Sequence, residues 1–152
     1  KTPDTGINLY KFRTMRPSKE DTGVSGGDKG DRITKYGYAF RRTRLDELPQ
    51  LWNVLKGDIS FVGPRPPLRQ YVEQFPEIYG PVLRSRPGIT GLASLKFHAH
   101  EERLLANTKT VEETDNVYTR ICIPRKAALD IIYQKNQTLC FDLYIMIKTV
   151  FK

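Results

Sequence analysis

Two adjacent carboxylates, Asp46 and Glu47, stand among cations: Arg41, Arg42 and Arg44 precede them and Arg65 follows. The pair opens residues 45–66, LDELPQLWNVLKGDISFVGPRP. Carboxylates beside so much positive charge are expected to stay ionised. An ionised aspartate can attack phosphorus, and an ionised glutamate can hold Mg²⁺ or take a proton. The pair falls at the expected start of a helix, where unpaired N–H groups and a partial positive charge favour phosphate. The same pattern suits a purely structural use, with Asp46 as an N-cap and Glu47 as a first-turn dipole partner. Residue types and spacing alone leave both open.

The elements that must hold this pair can be read around it. Leu48, Leu51, Trp52 and Leu55 recur at i, i+3, i+4 and i+7 and predict one apolar helix face. Pro49 fits the first turn, where its missing N–H costs nothing, and Gly57 fits the C′ position. Residues 59–62 are a short strand-like run, and Gly63-Pro64-Arg65-Pro66 makes a rigid turn that presents one arginine. Upstream, residues 7–15 alternate loosely as a strand, with Lys11 and Arg13 on one face and Tyr10 and Phe12 on the other. Residues 17–32 read as a glycine-rich loop. Residues 33–44 read as a basic helix with Tyr36, Ala39 and Phe40 inward.

Downstream, residues 68–75 and 76–84 predict two short helices whose aromatics suit either a core or a membrane-resting face. Residues 86–91 read as a tight turn in which backbone could approach a ligand closely. A helix over 101–107 should lead into a polar link reaching Thr119. Further helices are expected over 124–136 and, after a Thr138 N-cap, over 139–151. The last is apolar nearly all round, and at about 20 Å it is too short to span a bilayer. Asp142 inside it should salt-bridge a basic residue. The expected fold is α+β: mostly short amphipathic helices around a small β-sheet or hairpin, in a single domain.

A net charge of +8 over 152 residues points to anionic partners: phosphates, nucleic acid or an acidic lipid surface. Cys122 and Cys140 lack metal-ligand spacing and read as buried free thiols of a reducing compartment. His98 and His100 have no partner that suggests zinc. The sequence has neither a signal peptide nor a run of eighteen apolar residues.

The central stretch closely resembles the signature of the bacterial sugar transferases, the monotopic phosphoglycosyl transferases. YKFRTM at 10–15 and RPGITGL at 86–92 match in order, with a weaker match over 139–150 around Asp142. The resemblance covers nearly the whole chain. It implies transfer of a sugar-1-phosphate from a UDP-sugar to polyprenol (undecaprenyl) phosphate, initiating capsule, exopolysaccharide, O-antigen or glycoprotein glycan assembly. It casts Asp46 as a nucleophile that forms a phosphosugar-aspartate. Glu47 becomes a catalytic and Mg²⁺-binding partner, with Asp46 as the other metal ligand. Lys11, Arg41, Arg65 and Arg86 become substrate contacts.

The resemblance also implies the cytoplasmic face of the bacterial inner membrane as location and leaves room for a homodimer. Family members begin with a hydrophobic segment that enters the leaflet, and Lys1 falls in what resembles the middle of their pattern. A catalytic domain without its membrane anchor is therefore expected. Residues 94–102 depart from many family members, which puts substrate identity in doubt. Two other readings compete. A nucleic-acid module would suit the charge, but the basic residues surround a carboxylate pair that repels a phosphate backbone, and no recognised motif appears. A non-catalytic interaction domain would not need the intact Asp46–Glu47 pair.

Overall fold

The computed structural model describes residues 6–17 and 31–151. Most of the expected loop over 17–32 lies outside the described residues. The architecture is α+β, as expected. Helices α1 (Lys35–Arg42) and α2 (Gln50–Leu55) are joined through a 3₁₀ turn, Leu45–Glu47. Strand β1 (Ser60–Val62) follows, then α3 (Arg69–Gln74), α4 (Pro76–Val82) and strand β2 (Gly88–Thr90). The remainder is helical: α5 (Leu92–Ala106), α6 (Val111–Val117), a π-helical turn Tyr118–Cys122, α7 (Ile123–Lys135) and α8 (Leu139–Val150).

The two strands pair in parallel, Ser60 with Gly88 and Val62 with Thr90. The connection between them runs through α3 and α4, because parallel strands cannot be joined by a hairpin turn. Residues 88–90, expected as part of a turn, are thus a strand. Three glycines let this happen: a Cβ at Gly63 would strike the Arg86 carbonyl, at Gly88 the Gly63 backbone, and at Gly91 the Gly63 carbonyl. Backbone approaches backbone there so closely that only hydrogen fits.

Two apolar clusters form the core. Tyr71, Tyr79, Phe97, Leu105, Cys122 and Ile123 make one; Val62, Leu92, Tyr133 and Ile145 make the other. Helix α7 belongs to both, through Ile123 and Tyr133, and Leu129 packs against each. The aromatics of α3 and α4 therefore face the core, and those helices do not offer the free membrane-resting face considered above. Asp142 accepts a hydrogen bond from the Tyr133 hydroxyl at 2.7 Å instead of pairing with a base. Thr138 caps α8 as expected, accepting from the Phe141 N–H at 3.2 Å. Cys122 is buried, whereas Cys140 is exposed, contrary to expectation.

Three further expectations fail for physical reasons. Residues 7–15 form no regular strand; among described residues they contribute only an isolated bridge, Met15 to Ile33. Their N–H groups are spent elsewhere: that of Tyr10 donates to the Asn53 side chain and that of Phe12 to the Asp46 carbonyl. The inward face of α1 is Gly37, packed on the Thr14 carbonyl, while Tyr36, Ala39 and Phe40, expected inward, are exposed. Helix α5 begins nine residues before the predicted 101, at Leu92, and α6 with the π-turn replaces the polar link.

Candidate functional site

Asp46 and Glu47 lie on a single 3₁₀ turn, and both are buried, at 2% and 7% exposure. Burying two carboxylates is expensive unless each finds charge or hydrogen bonds. Three cations supply them. Lys11 Nζ lies 2.9 Å from Asp46 Oδ2 and 3.6 Å from Glu47 Oε1. Arg65 Nη2 donates to Glu47 Oε1 at 2.7 Å. Arg44 Nη1 stands 3.8 Å from Glu47 Oε2. Burial by itself would raise the Glu47 carboxyl; Arg65, by charge and hydrogen bond, with Lys11 and Arg44, outweighs it and holds the group below the usual carboxylate range.

Lys11 reaches the pair from 35 positions upstream of Asp46, so something must fix its backbone. The Tyr10 N–H donates to Asn53 Oδ1 at 3.1 Å, and the Phe12 N–H donates to the Asp46 carbonyl at 3.0 Å. Asn53 is fully buried, and its Nδ2 donates to the Asn8 carbonyl at 2.8 Å. The amide thus clamps both sides of the chain just before Lys11. This explains why α2 is inside out. Its buried residues are Gln50 and Asn53, whereas Leu48, Leu51, Trp52 and Leu55, the predicted core face, are 42–78% exposed.

The turn has a second source of rigidity. Arg44 has φ of 58°, and it is the only described non-glycine residue with positive φ. That left-handed conformation costs a non-glycine residue about 1 kcal/mol. At the other end of α2, Gly57 takes φ of 72° at C′, as predicted from the sequence. Pro64 and Pro66 hold the backbone of Arg65 on the strand exit from β1.

Of the six predicted site residues, the structure brings four together: Asp46, Glu47, Lys11 and Arg65. The side chain of Arg41 is engaged otherwise, with Nε donating to Thr14 Oγ1 at 2.9 Å and Nη2 to Met15 Sδ at 2.9 Å. It ties α1 to the segment that carries Lys11. Arg86 is exposed on the turn before β2, with its carbonyl against Gly63. Two residues were not singled out from the sequence. Asn53 could have been found as a polar residue three positions after Gln50 within an apolar helix. Arg44 appeared only as one of several nearby cations, and nothing in the sequence signals its backbone conformation.

Chemically, a buried carboxylate pair under three part-exposed cations can receive a highly anionic ligand. The cations can transfer from carboxylate to incoming phosphate as the ligand enters. Among the described residues no cluster of three or more His, Cys, Asp or Glu forms a complete protein metal cage. No described helix is long and apolar enough to cross a membrane.

Comparisons with known proteins agree on one family. The family model for bacterial sugar transferases matches residues 3–152. The chain is 38% identical over 150 residues to the UDP-N-acetylgalactosamine-undecaprenyl-phosphate N-acetylgalactosaminephosphotransferase of Aeromonas hydrophila, covering 95% of this chain and 31% of that protein. It is 38% identical over 150 residues to a UDP-glucose:undecaprenyl-phosphate glucose-1-phosphate transferase of Klebsiella pneumoniae, covering 96% and 29%. An enzyme of the same name from Caulobacter vibrioides is 37% identical over 149 residues, covering 95% and 50%. The chain therefore spans between 29% and 50% of the length of these three relatives.

Proposed function

The chain belongs to the bacterial sugar transferase family, and on that premise we propose that it transfers a sugar-1-phosphate from a UDP-sugar to polyprenol (undecaprenyl) phosphate. The observation that carries the reading is the buried Asp46–Glu47 pair under Lys11 and Arg65. The reaction runs in two displacements. An Asp46 carboxylate oxygen attacks the β-phosphorus of the UDP-sugar. The bond from that phosphorus to the bridging oxygen breaks, and UMP leaves with the oxygen and its charge. A phosphate oxygen of the polyprenol phosphate then attacks the phosphorus held on Asp46. The acyl phosphate bond breaks, Asp46 regains its carboxylate, and polyprenol-diphosphate-sugar is formed. Such a product initiates assembly of a cell-envelope glycan.

Lys11 and Arg65 balance the carboxylates before the donor arrives and the phosphoryl oxygens afterwards. Glu47, kept ionised by Arg65, can accept a proton from the acceptor phosphate. Arg41 acts at one remove by holding the Thr14–Met15 segment, and Arg86 is assigned to the nucleotide diphosphate on the family resemblance alone. Mg²⁺ commonly uses one or two carboxylates and completes its shell with substrate phosphates and water. Asp46 and Glu47 match that donor set, so they are the residues that would hold the ion. It would supply charge neutralisation at the diphosphate.

The acceptor is a lipid phosphate, so the pair must work close to a headgroup plane. Two exposed apolar stripes suit that position: Leu48, Leu51, Trp52 and Leu55 around α2, and Leu139, Leu143, Ile147 and Val150 on α8. Each lysine or arginine near an anionic leaflet adds about 1 kcal/mol to attraction by the +8 chain. The inner-membrane cytoplasmic face, where UDP-sugars are found, is the corresponding location.

The test is UMP release by the whole protein with polyprenol phosphate and a panel of donors that includes UDP-glucose and UDP-N-acetylgalactosamine. The reading requires UMP from at least one donor and its loss in excess EDTA. UMP release that survives EDTA would remove the metal. No release from any donor would remove the activity.

A further inference from the structure

Beside Glu47 a groove of about 130 Å³ opens to the surface. Arg44, Glu47, Leu48, Leu51, Ile89, Thr90 and Thr149 line it. Its walls are apolar almost throughout. The two threonines do not change that: Thr90 Oγ1 and Thr149 Oγ1 share a hydrogen bond at 2.9 Å, and Thr149 Oγ1 donates to the Ile145 carbonyl at 2.8 Å. The charged lining residues, Arg44 and Glu47, adjoin the carboxylate pair. Leu48 and Leu51 belong at once to the groove and to the exposed stripe of α2, while Thr149 precedes Val150 of the α8 stripe. The cavity thus leads from a cationic, catalytic end to apolar surface.

This polarity selects the ligand. A nucleotide sugar carries hydroxyls and amides that an apolar wall would strip of water without replacement. An isoprenyl chain ending in a phosphate complements both ends. Among the three cations around Glu47, Arg44 stands farthest, at 3.8 Å against 2.7 Å for Arg65 and 3.6 Å for Lys11. It can turn to a second anion while Glu47 keeps two partners. Its left-handed backbone also points to a function, since glycine would fit that conformation without strain.

We propose that the groove between Leu48, Leu51 and Ile89 seats the isoprene units next to the phosphate of the lipid acceptor, with the Arg44 guanidinium on that phosphate. The assignment rests on the transferase reading above and adds where the acceptor lies and which residue selects its charged head. The acceptor phosphate then reaches the phosphorus on the side that UMP has left, opposite the Asp46 oxygen. The donor diphosphate is held by Lys11 and Arg65, and the lipid enters along the apolar groove.

The experiment is photolabelling of the whole protein with a diazirine-bearing farnesyl phosphate, with adducts mapped by peptide mass spectrometry. UMP release is measured on the same samples. The expected adducts fall within 48–51 or on Ile89. Farnesyl phosphate should suppress them at least tenfold better than farnesol or inorganic phosphate, because both ends of the ligand are needed. Leu51→Trp should cut labelling at least fivefold. Leu51 is 42% exposed, so the larger side chain narrows the groove mouth without entering the core. Arg44→Gly should erase the preference for farnesyl phosphate over farnesol while leaving the melting temperature unchanged or raised. Adducts confined to other surfaces, or labelling indifferent to Leu51→Trp, would overturn the groove assignment even where UMP release proceeds. Absence of UMP release from every donor would overturn the transferase reading and this assignment with it.

Discussion

Asp46 and Glu47 on the 3₁₀ turn and Asp130 on α7 are all buried acids, and their surroundings treat them in opposite ways. Glu47 faces Arg65, Lys11 and Arg44, which together overcome burial and hold its carboxyl low. Asp130 is 6% exposed, and its Oδ1 has no hydrogen-bond partner. Burial pushes it up to about 7, against only a modest opposing pull from Lys126. Lys126 is already committed to Glu101 at 2.9 Å. One region thus keeps Glu47 charged in a low-dielectric setting, while the other favours a neutral acid. Burial alone does not keep a carboxylate ionised; the delivery of cations does, and here they come from three parts of the chain.

The largest expected effect is at Asp46. Asp46→Asn should reduce UMP release at least about a thousandfold, since an amide cannot serve as the nucleophile. Steady-state rates measured beside a thermal melt would separate this from unfolding. Activity within tenfold of wild type would dissolve the contrast between the two regions.

Asn53→Ala should come next. It orphans the Tyr10 N–H and the Asn8 carbonyl and frees the chain that carries Lys11. Asn53 is fully buried but Asn8 and Tyr10 are exposed, so water reaches part of the freed groups and a stability loss of about 1–2 kcal/mol is expected by denaturant titration, with turnover falling too. A stability change under about 0.5 kcal/mol would mean that the clamp does not hold Lys11.

Arg65→Ala should lower turnover by about one to two orders of magnitude, the range for losing one charge-assisted hydrogen bond. The melting temperature should fall as well, because Glu47 stays buried while losing its closest cation, although Lys11 and Arg44 limit the fall. Glu47 loses its strongest lowering partner, so the acid limb of the pH–rate profile should shift to higher pH. An unshifted limb would separate Glu47 from that titration.

The smallest expected effect concerns Asp130, and it is one of sign. Between its unfolded value of 3.8 and its folded value of about 7, the folded protein keeps a proton that the unfolded chain gives up. Stability contributed there is present below pH 4 and lost as pH rises toward 7. Glu47 contributes oppositely: its stabilisation is present above its unfolded value of 4.5 and lost as pH falls through the lowered folded value. Asp130→Asn should therefore flatten the fall in stability between about pH 4.5 and 7. At pH 8 it should add on the order of 2 kcal/mol, with turnover unchanged. Melting curves across pH would check it; an unchanged slope would place the titration elsewhere.

Local chemistry made much of the site legible in the sequence. The carboxylate pair, the Gly57 C′ position, the proline-flanked Arg65 and the Thr138 cap depend on neighbours a few residues away, whereas Pro49, expected in the first turn, is the N-cap that precedes α2. What the sequence hid was non-local. Apolar periodicity correctly marked α2 as a helix but assigned its faces backwards, because the partner for Asn53 is a backbone segment 43 to 45 residues upstream. Parallel pairing of β1 with β2 needs a crossover that no hairpin signal reports. Asp142 was expected to need a base, yet a tyrosine hydroxyl from α7 suffices. The resemblance supplied Lys11 as a site residue before any contact was known, and the fold supplies the means of its delivery.

The most direct test of the central claim is to incubate the whole protein with UDP-sugar in the absence of lipid acceptor and weigh it intact. A phosphosugar bound to Asp46 predicts a mass gain of one sugar phosphate, one UMP per chain, an adduct mapped within 45–55, and discharge on addition of polyprenol phosphate. The same adduct on Asp46→Asn, or UMP formed only once acceptor is present, would contradict Asp46 as the nucleophile.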